Sequence, residues 1–600
     1  MGQEPTINLP SSSSFSAGRV RSSPVTLAAQ GFANYAGKKK SDYKRILISR
    51  IADECMICQE NDDDVVLVLE LPQNDPLFMR KKKLLDDKGF ALKIHAPLKC
   101  SSVPTLDQLN DFSNRLIQQA RIINYDEVEI YFNGDSASDY SNPRNELQAL
   151  NYLLEAIDNS LSGDKHMMKN IMQNLRDEIV DRIHKVGSRF GEELEFVGCS
   201  NTDKEKCLLD WSVNNGARTN LDIAYIEGAG RGAIATQDLK VGDIALEIPV
   251  SIIISEELVH ESNLFHVLNE INGISTETML LLWCMREKYN KNSRFILFFE
   301  TLPEKFNTGL SFGVDALVTL DGTLLLEEIL QAKEHLRVQY EELFPALSDL
   351  HPDVFPPDLY TWEHFLWACE LFYSNSMKVF FTDGKLRTCL IPVAGFLNHS
   401  VCPHVLRYGR IEASTHTLRF PLSRACHAGE QCFLAYGKFS SSHLLTFYGF
   451  LPQEDNPYDV IPLEFDNLKD EDCEDGRIAT EVPTHMVRGT WYSKDHGIFQ
   501  YGLPSPLLDI LRRAGNPNWQ SSVITKEILE TELIVLRDLK CTFQDMMDAL
   551  GDENVDDRAS WDVKLAIEYK NLQRRILSSI LTSCGTGFEL VECELLKCTS

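Results

Sequence analysis

The chain has 600 residues, 43% hydrophobic and 24% charged, an ordinary globular balance that excludes collagen-like or wholly disordered structure. With 59 Lys and Arg against 88 Asp and Glu, the net charge of −29 argues against a nucleic-acid partner, because phosphate binding draws on clustered cations. No stretch approaches the ~18 uncharged apolar residues of a membrane span, and the length divides into several domains rather than one.

Residues 1–44 are Ser-rich and basic, with serines at 11–14, Arg19, Arg21 and lysines at 38–40, and Glu4 as their only acidic residue before Asp42. That composition reads as a disordered tail or a transit-like segment. The 16 cysteines are scattered, and Cys55 and Cys58 form a lone CxxC without a second ligand pair. Reduced thiols therefore fit better than disulfides or zinc, in the cytoplasm or nucleus, or in a chloroplast if the start is a transit segment.

Residues 45–200 read as a small α/β domain of unknown function. The β-branched run 65–69 and the segment 128–132 predict strands. Apolar spacing predicts helices over 106–123, 146–161 and 167–186. The basic run Arg80-Lys81-Lys82-Lys83 reads as a solvated loop, since Asp86 and Asp87 follow.

Three separated stretches then carry legible chemistry. In the first, Gly228-Ala229-Gly230-Arg231-Gly232 follows Glu227 and precedes strand-like sequence, with a Val241-Gly242-Asp243 turn beyond. Closely spaced glycines let backbone approach a ligand, and the lack of a following helix argues against a dinucleotide fingerprint. In the second, Asn398-His399 ends an apolar segment and needs hydrogen-bond partners at the edge of a core. In the third, Gly429-Glu430 leads to Tyr436-Gly437, and Tyr448-Gly449-Phe450 follows after a helix-like segment.

In this order the three stretches resemble the SET-domain protein methyltransferases, in the subgroup of the plant Rubisco large-subunit lysine methyltransferase and the actin-histidine methyltransferase. The resemblance runs over about 218–450. It includes a helical insert at about 256–385, marked by residues 278–283, Leu302-Pro303 and Trp362. It implies a multidomain α+β fold: a knotted β SET domain with its insert, a mostly helical C-terminal domain and the N-terminal α/β unit. Residues 455–600 would be the substrate-binding domain, with helices predicted at 506–513, 526–547 and 563–581 after an acidic linker of Asp466, Asp470, Glu471, Asp472, Glu474 and Asp475.

By that resemblance the cofactor is S-adenosyl-L-methionine, and the partner is a lysine-bearing protein substrate met by a monomer. Tyr436 would be the catalytic tyrosine beside the transferring methyl. Gly230, Arg231, Gly232, Asn398, His399, Tyr436, Tyr448 and Phe450 would surround the cofactor. Val405 and the segments 405–413 and 418–422 would be sheet strands. The resemblance implies no zinc: Cys402 is displaced by one from the usual position, and Cys584, Cys593 and Cys598 lack the CxC start.

Several positions depart from the family pattern. Asn375 stands where an arginine usually pairs with the cofactor carboxylate, which implies about a tenfold loss of affinity. Gly395 replaces an aspartate, and Ser441 and His443 replace an asparagine and a glutamate. The leading expectation is lysine methylation. Histidine methylation is the second, because imidazole needs little help losing a proton near neutral pH. A SET-fold binding protein without turnover is the reading from a different class.

Overall fold

The computed structural model describes residues 64–90, 93–99, 106–133, 142–161, 166–190, 203–226, 228–271, 273–453, 455–464, 484–489, 496–520, 524–551 and 558–599. The N-terminal segment 1–44, the Cys55–Cys58 pair, Glu227 and the acidic linker lie outside them. Helices and short antiparallel sheets mix throughout, so the protein is α+β with several cores.

In the N-terminal part, strand Asp64–Glu70 pairs antiparallel with Lys93–Lys99 across the intervening helix Phe78–Asp87. Helices Leu106–Asn124, Pro143–Leu161 and His166–Phe190 pack beside this pair. Their apolar residues recur every three or four positions: Leu116 with Ala120, Leu150 with Leu153 and Ile157, and Leu175 with Ile179 and Ile183, all buried in one core.

Two local expectations change. Residues 128–132 lie in a helix, Glu127–Asn133, rather than a strand. Asp126 and Glu129 form a reciprocal capping box: the Glu129 amide donates to Asp126 Oδ1 at 2.9 Å, and the Asp126 amide donates to Glu129 Oε2 at 2.8 Å. Satisfying two orphan amides at a helix start outweighs the weak β preference of Val128 and Tyr131. The basic run at 80–83 is helical too, and Lys81 is buried, held by Asp75 at 2.6 Å and by the Ile123 carbonyl at 2.8 Å.

The middle of the chain is built on a four-stranded antiparallel sheet in the order Arg218–Thr219, Ile244–Pro249, Thr417–Pro421, Ile411–Glu412. Hairpins Leu221–Ile226 with Gly230–Ala235, and Ser376–Phe380 with Leu386–Leu390, lie alongside. Isolated bridges Ile234 to Gln431, Ile254 to Leu390 and His399 to Leu434 knit these short pieces together. Of the expected strand 405–413 only Ile411–Glu412 is regular, although Val405 bridges Leu434. Between the two halves run helices that include Thr276–Glu287, Leu324–Leu350 and Trp362–Asn375, which bury Trp283, Phe344 and Trp367 in the same core as the sheets.

The N-terminal part is not an appendage. Cys402 is buried in its core, Val241 and Leu406 pack against it, and Arg407 pairs with Glu155.

The C-terminal helices Ser505–Gly515, Lys526–Ala549 and Trp561–Thr599 enclose their own core. Inside it the Arg512 guanidinium forks onto Glu532 at 2.6 and 2.7 Å, and the Tyr501 hydroxyl donates to the same carboxylate. Paired and hydrogen-bonded in this way, a buried charge is tolerated. The last helix also buries Ala566 and Tyr569 against Ala316, Ile329 and Leu445, which fixes it to the insert and to helix Ser441–Tyr448. Among the described residues no helix is long and apolar enough to cross a membrane.

Candidate active site

The three stretches meet at Asn398. Its side-chain amide donates to the Arg231 carbonyl at 3.1 Å and to Gln431 Oε1 at 2.8 Å. Gly232 lies at this junction, where a side chain would have to displace the ends of its neighbours. A Cβ there would come within 2.4 Å of Gln431 Oε1, 2.5 Å of Ile226 Cδ1 and 3.1 Å of Asn398 Nδ2. The turn before it runs through Gly228 and Gly230 at φ +76° and +71°, a conformation that L side chains resist.

Arg231 departs from its expected role. Its guanidinium is held by Glu205 at 2.8 Å and by the Thr301 carbonyl, and it lies over the Phe396 ring. The side chain is committed to the fold, which leaves only the backbone of 230–232 to face a ligand.

The Asn398–His399 pair is delivered by a strained turn. Buried Val393 holds φ +69°, unfavourable for a β-branched residue, and the 3-10 turn Ala394–Phe396 follows. The Leu434 amide then donates to the Asn398 carbonyl at 2.8 Å, and the Tyr436 amide donates to His399 Nδ1 at 3.2 Å. That bond leaves the neutral ring's proton on Nε2. Burial pushes the imidazole pKa down to about 4, so His399 is neutral at physiological pH.

Tyr436, Tyr448, Phe450 and His399 form one aromatic group. Tyr436 stacks on Tyr448 at 4.9 Å, faces His399 at 5.3 Å and meets Phe450 edge-on at 6.5 Å. Burial raises the pKa of both phenols, so both keep their protons. Tyr408 is a third phenol close enough to act electrostatically on the other two, and its own pKa is also raised by burial. Sequence reasoning missed Tyr408, because a single tyrosine inside a supposed strand carries no signal.

The departures from the family pattern are accommodated locally. Asn375 donates to the neighbouring Ser374 hydroxyl at 2.7 Å, and its Oδ1 lies 3.2 Å from where a Gly395 Cβ would stand, so the two altered positions face each other. The Ser440 hydroxyl caps helix Ser441–Tyr448 by accepting from the His443 amide. Ser441 donates through both its amide and its hydroxyl to Asp459 at 2.7 Å. Burial pushes that carboxyl up to about 6. His443 stacks on Phe439 at 4.0 Å, and burial drives its pKa down to about 4.

His404, Cys426 and Cys432 bring three metal-type donor atoms within 4.8 Å of one another, all buried. Both imidazole nitrogens are engaged, however: Nδ1 accepts from the Phe433 amide at 3.0 Å, and Nε2 meets Glu430 Oε1 at 3.0 Å. The trio is a closed hydrogen-bonded cluster. Cys402, buried against the N-terminal helices, is not in it.

The N-terminal part reaches this site. Lys438, two residues after Tyr436, pairs with Asp126 at 2.8 Å and lies 3.9 Å from Glu129. Asn142 donates to the Tyr458 hydroxyl at 2.8 Å. Nothing in the local sequence signals these contacts.

No family model matches the chain. Its sequence is 24% identical over 268 residues to the actin-histidine N-methyltransferase of Gallus gallus, covering 43% of this chain and 44% of that one. It is 21% identical over 488 residues to the enzyme of the same name from Canis lupus familiaris, covering 75% and 81%. It is 27% identical over 262 residues to the chloroplastic [fructose-bisphosphate aldolase]-lysine N-methyltransferase of Arabidopsis thaliana, covering 42% and 52%. The solved SET domain of LSMT bound to lysine and AdoHcy aligns at 17% identity over 66% of this chain and 93% of that one, with a TM-score of 0.49, too low to carry argument. By the order of its motifs and by these sequence alignments, the chain is similar to SET-domain protein methyltransferases of the Rubisco large-subunit methyltransferase-like and actin-histidine methyltransferase-like subgroup.

Proposed function

We propose that the protein is an S-adenosylmethionine-dependent protein N-methyltransferase that acts on a lysine side chain of another protein. The observation that carries this reading is the convergence on Asn398 of the glycine turn and the Gln431 side chain, with His399, Tyr436, Tyr448 and Phe450 closing one aromatic wall. Residues 218–450 would form the catalytic domain and 455–600 the substrate-binding domain.

The residues present suit a ligand rich in acceptors. Gln431 Nε2 and the Arg144 Nε and Nη1 atoms are buried donors without hydrogen-bond partners among the described residues. In a folded protein such groups are few and call for an explanation. The backbone of 230–232, Asn398 and His399 would hold the cofactor, which supplies a methyl group already activated on a sulfonium. The chain's own task is then orientation and exclusion of water.

A target amine must arrive neutral. Desolvation among Tyr436, Tyr448, Tyr408 and Phe450 lowers an ammonium pKa and favours proton loss to solvent before transfer. With the cofactor bound, its sulfonium methyl would be the group passed to the neutral nitrogen, and these side chains would orient the amine toward it and keep water out. The Tyr436 hydroxyl stays protonated at neutral pH, and its oxygen would be the group available to a polarised methyl through a weak C–H···O contact.

Histidine is the second reading, supported by the naming of two relatives for actin-histidine methylation. The test is transfer of a radiolabelled methyl group to cell extract by wild type and Tyr436→Phe, followed by amino-acid analysis. Labelled Nε-methyllysine supports the lysine reading and labelled methylhistidine the second. Equal labelling by both proteins removes Tyr436 from the catalytic role, and no binding of the cofactor in calorimetry defeats the enzyme reading.

A further inference from the structure

We propose that Arg144, contributed by the N-terminal unit, is a carboxylate-binding residue of the candidate active site, an assignment that rests on the methyltransferase reading above. Arg144 is the second residue of helix Pro143–Leu161. Its Nε and Nη1 are buried and have no hydrogen-bond partner among the described residues. The residue as a whole is half-buried, but these two donors are shielded from water, and shielded donors without an acceptor are few in a folded protein and call for an explanation.

The start of this helix is pinned to the site. The Arg144 amide donates to Asn142 Oδ1 at 3.0 Å, and Asn142 Nδ2 donates in turn to the Tyr458 hydroxyl at 2.8 Å. From there the guanidinium is close enough to act electrostatically on His399, Tyr408 and Tyr458. The geometric link to the site runs through Glu129, which accepts from Asn145, the residue after Arg144, at 3.4 Å and lies 3.9 Å from Lys438, two residues after Tyr436.

Asp126 and Glu129 lie within electrostatic reach of the guanidinium and offset part of its charge, but neither accepts a hydrogen bond from Nε or Nη1. Asp126 and Glu129 are tied to each other's amides and to Lys438. The other cations at the site are committed: Arg231 to Glu205, Lys438 to Asp126. Asn375, which faces Gly395, is neutral and bonded to Ser374.

The planar guanidinium fork matches a carboxylate with two parallel hydrogen bonds. Two carboxylates could enter such a site. One is the amino-acid carboxylate of S-adenosylmethionine, and the other is an acidic side chain beside the target nitrogen of the protein substrate.

Calorimetry with S-adenosylhomocysteine and with decarboxylated S-adenosylmethionine separates the two sources, using the full chain as wild type, Arg144→Met and Arg144→Lys. If the cofactor is the source, Arg144→Met weakens S-adenosylhomocysteine binding about tenfold or more, leaves the decarboxylated ligand within about twofold, and Arg144→Lys recovers part of the loss. If the substrate is the source, S-adenosylhomocysteine binding is unchanged, and Arg144→Met needs several-fold more cell extract to reach half-maximal labelling at saturating cofactor. Equal cofactor binding together with equal extract dependence overturns the assignment of Arg144 alone. A wild-type protein that binds no S-adenosylhomocysteine overturns the methyltransferase reading and this proposal with it. Arg144→Lys keeps the charge and the fold, so loss of structure in Arg144→Met leaves a second variant that still decides the question.

Discussion

The backbone amide of Tyr436 donates to Nδ1 of His399 across 3.2 Å, so the two most chemically suggestive motifs brace each other directly. The histidine acts through its lone pair, which is available only while the ring is neutral.

His399 therefore stays neutral across pH 5–8, and an imidazole NMR titration should find its midpoint near 4 rather than 6.5. The linkage follows in sign. The folded pKa lies below the unfolded one, so between about 6.5 and 4 the unfolded chain binds the extra proton, and His399 lowers stability as the pH falls through that window. His399→Gln should flatten this part of the stability–pH curve measured by denaturant melts. A midpoint above 6 would show that the imidazole is not held as described.

Tyr436→Phe keeps the ring that stacks on Tyr448 and removes only the hydroxyl. Methyl transfer should fall by about 10- to 100-fold, while calorimetric affinity for S-adenosylhomocysteine stays within about threefold. A parallel loss of both would mean that the hydroxyl supports binding rather than transfer.

Gly232→Ala forces a methyl group into Gln431 Oε1 and Ile226 Cδ1 at under 3 Å. Overpacking of this kind costs about 1–3 kcal/mol, so the melting temperature should drop by several degrees and cofactor binding should weaken with the displaced Asn398. An unchanged melt would show that the glycine turn can move away from the Asn398 junction.

Ser441→Ala removes the hydroxyl that donates to Asp459, a carboxyl whose pKa burial raises to about 6. A raised acid pKa means that the folded state holds the proton longer, so this group's favourable contribution fades as the pH rises from about 4 through 6. Losing a donor to the ionised form raises the pKa further. The variant should therefore be less stable by about 1–3 kcal/mol at pH 8 and nearer to wild type at pH 5. A pH-independent loss would remove Asp459 from the explanation.

Much of the secondary structure was legible because it depends on neighbours in sequence. The spacing at 106–123 and 526–547 foretold helices that run Leu106–Asn124 and Lys526–Ala549. The run 65–69 lies in strand Asp64–Glu70. The mistaken strand at 128–132 shows the limit, since Asp126 and Glu129 already carried the capping signal and the β-branched residues drew attention from it.

The sequence by itself determined which residues could do chemistry: glycines that permit a tight turn, an Asn-His pair at a core edge, and tyrosines at strand and helix ends. Those are properties of side chains and of short windows, and they survive without knowledge of the fold. Only the tertiary structure decided which of them are free to act. It spent Arg231 on Glu205, brought Tyr408 within electrostatic range of Tyr436, answered the change at Ser441 with Asp459, and brought Arg144 from the N-terminal helices within electrostatic range of His399 with two buried donors that no described residue accepts from. Each of these depends on what lies within hydrogen-bond or Coulomb range in space, and burial strengthens such pairings while leaving no trace in local sequence.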